Sequence, residues 1–443
     1  MKACFVSLGC DKNFVDTEHM MAILSAEGYE FVSEVEDADV AIVNSCCFIQ
    51  DALEESINTI IEIGRYKTEG HLKALVLAGC LGQRFTDDVL KDLPEVDGIV
   101  GTNSYDELVS VLNAALDGKK KIVKKDFSGV PSLSTGRFLT GMVPYSYLKI
   151  AEGCDKHCTY CIIPSIRGDF RSIPMEELLS EAREMAENGI KELNLVAQEV
   201  TLYGKDLYGK KSLPLLLEKL SEIEGISWIR LLYCYPEEID EELIQMMASN
   251  PKICHYIDMP IQHCSDSILG RMGRKTSKTD IESKIAALKE KMPDIAIRTT
   301  LICGFPGETE ENHLELLDFV KNTKFDRLGC FSYSKEEGTP AANFDEQVDD
   351  DQKDRWRDEV MALQQDIIFE KNKSLIGTSL LCFVEGKIED GVYVARTYRD
   401  APEVDGYIFI ETEGEHLSGD ILTVKVTDFK EYDLIGEIEN EFA

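Results

Sequence analysis

From residue 140 to residue 375 the sequence alternates short apolar runs with longer stretches whose apolar residues recur every three or four positions. The runs are YSYLKI, KELNLVA, SWIRLLY, HYIDMPI, IAIRTTLI and DRLGCFSY; between them lie stretches such as PMEELLSEAREMAENG, PEEIDEELIQMMAS and KTDIESKIAALKEKM. Near-continuous apolar runs joined by helix-period segments predict parallel strands with helical crossovers. Six such units exceed the usual open sheet and fall short of the eight that close a barrel. A partial (β/α)6 TIM-like barrel is therefore predicted, closed by a helix over 351–373.

Residues 1–125 alternate in the same way. KACFVSLG, DADVAIVNS, LKALVLAG and DGIVGT read as strands, and DKNFVDTEHMMAILSAEG and QDALEESINTIIEIGRYK as helices, so a second parallel α/β unit precedes the first. Between the two, LDGKKKIVKKDFSGVPSLSTG is basic and then rich in Ser, Gly and Pro, and a linker is predicted over 126–139. After residue 376 the helical period disappears. SLLCFVEG, GVYVARTY, DGYIFIE, DILTVKVTDF and DLIGEIE predict a small antiparallel β-barrel over 376–443.

No apolar run approaches the roughly 20 residues that span a bilayer. MKACFVSLGC leads into charged sequence without a small-residue cleavage site, so a cytoplasmic protein with no membrane partner is expected. In a reducing compartment, fourteen cysteines point to metal binding or redox chemistry rather than to a disulfide framework. The formal charge of −35 repels nucleic-acid phosphates and attracts basic partners; solubility is the competing reading of the same charge.

EGCDKHCTYC places Cys154, Cys158 and Cys161 in one loop just after the strand YSYLKI, where an α/β barrel carries its chemistry. The C-x3-C-x2-C spacing lets three sulfurs reach one small metal centre and differs from the paired C-x2-C knuckles of zinc ribbons. A 4Fe–4S cubane normally takes four thiolates, so three leave one iron with an exchangeable position. Structural zinc with a distant fourth ligand is the alternative. A quieter set lies in the first unit. Cys10, Cys46 and Cys80 each follow a predicted strand, and in a parallel sheet those carboxyl ends share the edge where ligands bind. Inert buried thiols are the alternative for each. Cys47 diverges from its neighbour Cys46, and Cys4, Cys234, Cys254, Cys264, Cys303, Cys330 and Cys382 read as structural.

C-x3-C-x2-C with aromatic Tyr160 before its last cysteine resembles the signature of radical S-adenosylmethionine (SAM) enzymes. CGFPGE resembles that superfamily's SAM-contacting glycine motif, which implies cofactor contacts from Gly304, Phe305, Pro306 and Gly307, with Tyr160 near the adenine. SLGCDKNFVDTE, DADVAIVNSCCFIQDALEESI and AGCLGQRF, together with the C-terminal module, resemble the methylthiotransferase family over essentially the whole chain, including its TRAM domain. The resemblance implies two 4Fe–4S clusters, an auxiliary one on Cys10, Cys46 and Cys80 and a radical-generating one on Cys154, Cys158 and Cys161. It also implies that one SAM methylates a sulfur on the auxiliary cluster. A second SAM then supplies the radical that opens the substrate C–H bond, with an external electron donor and sulfur donor.

Two branches of that family differ in substrate. One methylthiolates an adenosine derivative in transfer RNA, the other the β-carbon of an aspartate in small-subunit ribosomal protein twelve. From Ile376 to Ala443 the chain has 16 Asp or Glu against 5 Lys or Arg, which suits a basic protein loop and makes transfer RNA an unfavourable partner. CIIPSIRGDFRS, YIDMPIQH and RTYRDAPEVDGYIFI also resemble the ribosomal-protein branch; Asp11 and Glu199 depart from it where Pro and Asp are usual. A non-catalytic zinc protein is the alternative of another class. Gln198, Glu199 and Tyr203 follow the second barrel strand and are candidate active-site residues. Arg167 and Arg171 are candidate partners of a carboxylate, and His157 a neighbour of the triad rather than a ligand.

Overall fold

A computed structural model of the protein describes residues 1–131, 135–141 and 143–439; residues 132–134 of the expected linker, residue 142 and the last four residues lie outside the described residues. Among the described residues no helix is long and apolar enough to cross a membrane.

The first unit is a parallel sheet in the order Glu30–Phe31, Lys2–Ser7, Val40–Ser45, Ala74–Gly79, Gly98–Val100, Lys121–Val123. Its central strands are apolar on both faces because helices cover both sides, which is why they read as unbroken runs rather than alternations. Two edge strands were not expected. Glu30–Phe31 is too short to show a period, and Lys121–Val123 is a KIV triplet inside the basic run, paired with Gly98–Val100.

The second sheet has six parallel strands in chain order, Tyr145–Lys149, Glu192–Val196, Trp228–Leu231, Ile253–Asp258, Ala296–Cys303 and Arg327–Ser332. The ring stays open between the first and last strands, as expected for six units. The helix Asp350–Leu375 packs Trp356, Val360 and Ile367 into the same core as the last two strands. The third unit is a closed five-strand barrel, Ser379–Glu389, Val392–Thr397, Ile408–Glu411, Ile421–Lys430 and Asp433–Ile438. One correction applies to its antiparallel description. Ile408–Glu411 and Asp433–Ile438 pair in parallel, because the fourth strand passes to the far side before the fifth closes the ring.

The junction between the two barrels is polar and buried. Glu192, at the start of its strand, accepts from Arg230 Nε at 2.9 Å and from Arg396 Nη2 at 2.6 Å, and all three side chains are fully buried. Arg230 also donates to the Tyr398 carbonyl at 2.7 Å, and Tyr256 Oη to Asp405 at 2.7 Å. Phe383 stacks on Trp228 with centroids 5.5 Å apart, inside a cluster formed by inward-facing strand residues. RTYRDAPEVDGYIFI is thus the segment that docks the small barrel.

Among the described residues of the predicted linker, Arg137 is buried against Glu18 at 2.5 Å and Glu181 at 3.3 Å; just after it, Thr140 donates its backbone N–H to Glu18 at 2.8 Å.

Burial raises the Glu192 carboxyl, but Arg396 and then Arg230 outweigh it and hold it below the usual carboxylate range. Glu192→Leu leaves Arg230 buried without its acid and Arg396 with Glu385 alone. It should lower stability by about 3–5 kcal/mol, seen as a fall in the urea midpoint. An unchanged midpoint would mean that Arg230 and Arg396 find water.

Candidate active site

The first triad is built by three neighbouring strands. Lys2–Ser7, Val40–Ser45 and Ala74–Gly79 pair in register, Ser7 with Asn44 and Ser45 with Gly79, so the chain leaves all three at the same edge. Cys46 follows the second directly and Cys80 the third, while Cys10 sits at the N-cap of the helix Asp11–Ala26. Two glycines make the convergence possible. Gly9, at φ +89°, lies so close to Cys46 that a Cβ would stand 2.9 Å from its Sγ. Gly79, at φ +86°, would put one 2.3 Å from Asn44 Oδ1. Asn13 fastens the set: its Nδ2 donates to the Leu8 and Ser45 carbonyls at 3.0 and 2.9 Å, and its Oδ1 lies 3.9 Å from Cys80 Sγ. Cys46 and Cys80 are buried, and each feels the charge of Cys10. Cys47 packs into the apolar core instead.

In the second triad, Cys154 and Cys158 are buried and Cys161 is half-buried. The loop is tight: Gly153, at φ +77°, has no room for a Cβ against the Gly168 and Asp169 carbonyls, and Cys154 N–H donates to Gly168 O at 3.1 Å. Thr159 anchors it by donating its N–H to Met272 O at 2.9 Å and its hydroxyl to Arg271 O at 2.8 Å. Burial pushes the Cys154 and Cys161 thiols up to about 12, so neither is a thiolate at neutral pH without a positive partner or a metal.

The two triads meet at one interface. The helix Ile163–Arg167 follows Cys161 at once, and Ile162 and Ile166 enter the core of the first unit beside Cys80 and Leu81. Arg167, fully buried, donates from Nη1 to Asp16 and Glu152 at 3.0 Å, and its Nη2 lies 3.8 Å from Cys80 Sγ. Lys149 completes the cluster, paired with Asp16 and with Glu152 at 2.9 Å. Burial raises the Glu152 carboxyl, but Arg167 and then Lys149 dominate and hold it at about 2. Lys12, two residues after Cys10, reaches across to the second unit with its Nζ 3.2 Å from the centroid of the Tyr233 ring. Arg84 crosses at the same interface to Glu336 at 3.2 Å.

The aromatic residue of the second triad is brought to the glycine turn. Tyr160 and Phe305 pack edge to face at 6.4 Å, with Tyr333 and Phe344 beside Phe305. The turn is closed by Glu308, which accepts the N–H groups of Gly304 and Phe305 at 2.7 and 3.0 Å. Gly304 and Gly307 have positive φ and stand against Lys353 and Arg271, while the Pro306 carbonyl accepts from Arg271 Nε at 2.9 Å.

The second barrel strand delivers an unusual carboxyl. Glu199 is fully buried; its Oε1 accepts the Thr201 N–H at 2.9 Å, its Oε2 has no hydrogen-bond partner, and Lys156 lies 3.9 Å away. Burial raises it to about 7. Gln198, half-buried, also leaves its Oε1 without a partner. Tyr203 is different. It is buried in the barrel core with its hydroxyl donated to Ile173 O at 2.9 Å, so it braces the loop. His157 is exposed. Arg171 donates to the Gly129, Asp169 and Arg167 carbonyls, a structural use rather than a free cation.

Arg274 is a residue that periodicity and motif reading missed. It is buried over the Tyr235 ring at 4.3 Å, beside Tyr160 and Cys158, with Nε and Nη1 unpartnered. Buried guanidinium N–H groups without acceptors invite an anionic group such as a carboxylate. Its only sequence signal is an Arg in RMGR, which reads as a surface loop.

The donor sets fit polynuclear iron better than a single ion. A tetrahedral zinc with Zn–S of about 2.3 Å holds its sulfurs about 3.8 Å apart. Among the described residues, neither triad gathers its three sulfurs within 4.8 Å of one another. Three thiols at each site, with a fixed guanidinium beside Cys80 and unpartnered N–H groups beside Cys158, suit a larger sulfur-rich group and a carboxylate-bearing ligand.

Comparison with known proteins agrees along the chain. Residues 2–101 match the family described as Uncharacterized protein family UPF0004, residues 148–320 the Radical SAM superfamily and residues 376–438 the TRAM domain. The chain is 53% identical over 440 residues to the Ribosomal protein uS12 methylthiotransferase RimO of Lachnoclostridium phytofermentans, covering 99% of this chain and 100% of that one. The proteins of that name from Acetivibrio thermocellus and Clostridioides difficile are 48% and 45% identical; the matches cover 99% of each chain in the first pair and 100% of each in the second. Among solved structures, the radical SAM methyltransferase TsrM from Kitasatospora setae, with cobalamin and a [4Fe-4S] cluster bound, superposes with a TM-score of 0.56 at 13% identity. That match covers 89% of this chain and 80% of that one, and shows a shared fold.

Glu199 gives the site a pH signature. Its folded-state carboxyl, at about 7, is raised above the unfolded value. Between about pH 4.5 and 7 the folded chain therefore keeps a proton that the unfolded chain has lost, and stability falls as pH rises through that window. The loss is about 3 kcal/mol, and Glu199→Gln should remove it. Urea unfolding of the metal-free chain on both sides of the window measures the slope; identical slopes in the two proteins would rule out a buried neutral carboxyl.

Proposed function

The chain belongs to the ribosomal protein uS12 methylthiotransferases (RimO), and on that premise we propose how its residues modify the β-carbon of an aspartate in uS12. The observation that carries this reading is the buried interface at which the segment following Cys161 packs, through Ile162, Ile166 and Arg167, against the first triad's Cys80. In this reading Cys10, Cys46 and Cys80 hold an auxiliary 4Fe–4S cluster, and Cys154, Cys158 and Cys161 hold the cluster that binds SAM. When bound, these clusters and SAM supply the sulfur, the methyl group and the radical chemistry that no side chain here provides.

The chain's own residues position and exclude. Burial pushes the Cys80 thiol up, and Arg167, clamped by Asp16 and Glu152, keeps a fixed positive charge against it that offsets part of that rise. Tyr160, Gly304, Phe305, Pro306 and Gly307 form the wall for the adenine side of SAM, and the free N–H groups of Arg274 receive its carboxylate. Glu199 and Lys156 hold a proton beside the second triad, with Gln198 next to them. Tyr203 supports that loop from below. Placing both triads on one interface is the proximity contribution, which is what a protein adds to a radical reaction.

Residues 1–125 carry the sulfur side, 126–139 join it to the radical domain at 140–375, and 376–443 present the substrate. Arg396 and Arg399 of the last module turn inward to Glu192 and Asp326, each at 2.6 Å, so two of its few cations are spent on docking. The outward surface is left acidic, which favours a basic ribosomal protein over transfer RNA. A reductant and a sulfur donor complete the reaction, in the cytoplasm where ribosomal proteins are available.

Incubating the reconstituted enzyme with SAM, reductant, sulfide and uS12 should add the mass of one H-to-SCH3 replacement to a single aspartate-containing peptide. The same mass only on transfer RNA would overturn the substrate. Cys154→Ala should abolish SAM cleavage, whereas Cys46→Ala should keep cleavage and lose sulfur transfer. Iron content should fall from about eight to about four per chain in each variant. Sulfur transfer surviving in Cys46→Ala would refute the auxiliary site.

A further inference from the structure

Strand Ala296–Cys303 alternates its side chains between two environments. Ile302 faces the aromatic cluster of Phe305 and Tyr160, whereas Leu301 and Cys303 face the helices on the other side of the sheet. There, outside both triads, a set of ligating groups gathers that the reaction does not use. Cys303 Sγ, a Glu308 carboxylate oxygen and a His313 ring nitrogen lie within 4.8 Å of one another, and all three residues are buried. Cys330 Sγ, on the next strand, is 3.4 Å from Cys303 Sγ.

The protonation of each group follows from its partners. His313 Nε2 lies 2.8 Å from the Glu359 carboxylate, so it carries the proton, and Nδ1 presents a lone pair on the Cys303 side with no hydrogen-bond partner. The ring plane is fixed by stacking on Trp356 at 5.0 Å. Glu308 spends Oε2 on the Gly304 and Phe305 N–H groups, and its Oε1 is buried without a hydrogen-bond partner. His263 Nδ1 accepts the Ser265 N–H at 2.9 Å, so its Nε2 bears hydrogen and lies 3.4 Å from Glu308 Oε1 without forming a hydrogen bond, and it offers no lone pair to a metal.

One thiol, one imidazole lone pair and one carboxylate oxygen therefore converge. The histidine is backed by a carboxylate, the arrangement that orients ligands around zinc. We propose that Cys303, His313 and Glu308 bind one zinc ion, with the Cys330 thiol against Cys303 but outside the ligand set. The Cys303 thiol releases its proton to solvent on binding. The ion ties the end of the strand Ala296–Cys303 to the helix Glu310–Thr323 and, through Glu308, to the GFPG turn. The site does not depend on the proposed reaction, because its ligands lie outside both triads.

The test uses the full chain with both triads reconstituted with iron, incubated anaerobically with Zn2+ and desalted against a weak chelator. About one zinc per chain is expected beside about eight irons, with zinc-edge X-ray absorption giving sulfur at about 2.3 Å and nitrogen or oxygen at about 2.0–2.1 Å. Cys303→Ser should lose the zinc and keep the iron. Glu359→Gln sits at the rim and does not alter the core; it should weaken zinc binding by about 10- to 100-fold. Absence of zinc from the native chain would overturn the proposal. So would zinc retained in Cys303→Ser, or an affinity unchanged in Glu359→Gln.

Discussion

Arg167 is buried between Asp16 and Glu152, with Cys80 on its other side and Lys149 closing the ring. A guanidinium in that position is tolerable only with its carboxylates in place, since a buried charge left alone costs about 3–5 kcal/mol. Asp16 comes from the first helix, Arg167 and Glu152 from the loop region of the second triad, and Lys149 from the first barrel strand. The ion cluster therefore forms only when the two α/β units dock in one orientation. That orientation sets the relation between the triads. Asn13 extends the same logic, bonding two strand ends and lying against Cys80.

A second polar junction governs the C-terminal barrel. Glu192 is shared by Arg230 and Arg396, and Asp326 by Lys371 and Arg399. Asp400 and Asp405 are paired with Arg327 and Arg298. Part of the module's acidic excess is thus consumed inside the protein, but so are two of its cations, and the sign of its outer surface is unchanged. Not every charged residue of the module therefore counts toward the surface that a partner would meet.

The fold was largely legible because parallel strands covered on both faces leave uninterrupted apolar runs, and each predicted barrel run became a strand. What escaped were edge strands too short to carry a pattern and the parallel closure of the small barrel, which depends on strand order rather than on any one strand. The convergence of Cys10, Cys46 and Cys80 was readable because strand ends in a parallel sheet share an edge. Position after a strand says nothing of which way a ring turns, and Tyr203 turns into the core and bonds Ile173 O.

Spacing within single segments, then, determined the three-unit architecture, the loop triad and the strand-end triad, since each is a property of neighbouring residues or of a repeating period. Tertiary structure alone decided that Arg167 sits between Asp16, Glu152 and Cys80, that Arg274 is buried near Cys158 and Tyr160 with two N–H groups unpartnered, and that burial raises the Glu199 carboxyl to about 7. It also decided that Cys303, Glu308 and His313 gather within 4.8 Å of one another, with Cys330 against Cys303. These are relations of desolvation and proximity between groups far apart along the chain, and such relations exist only once the units have packed.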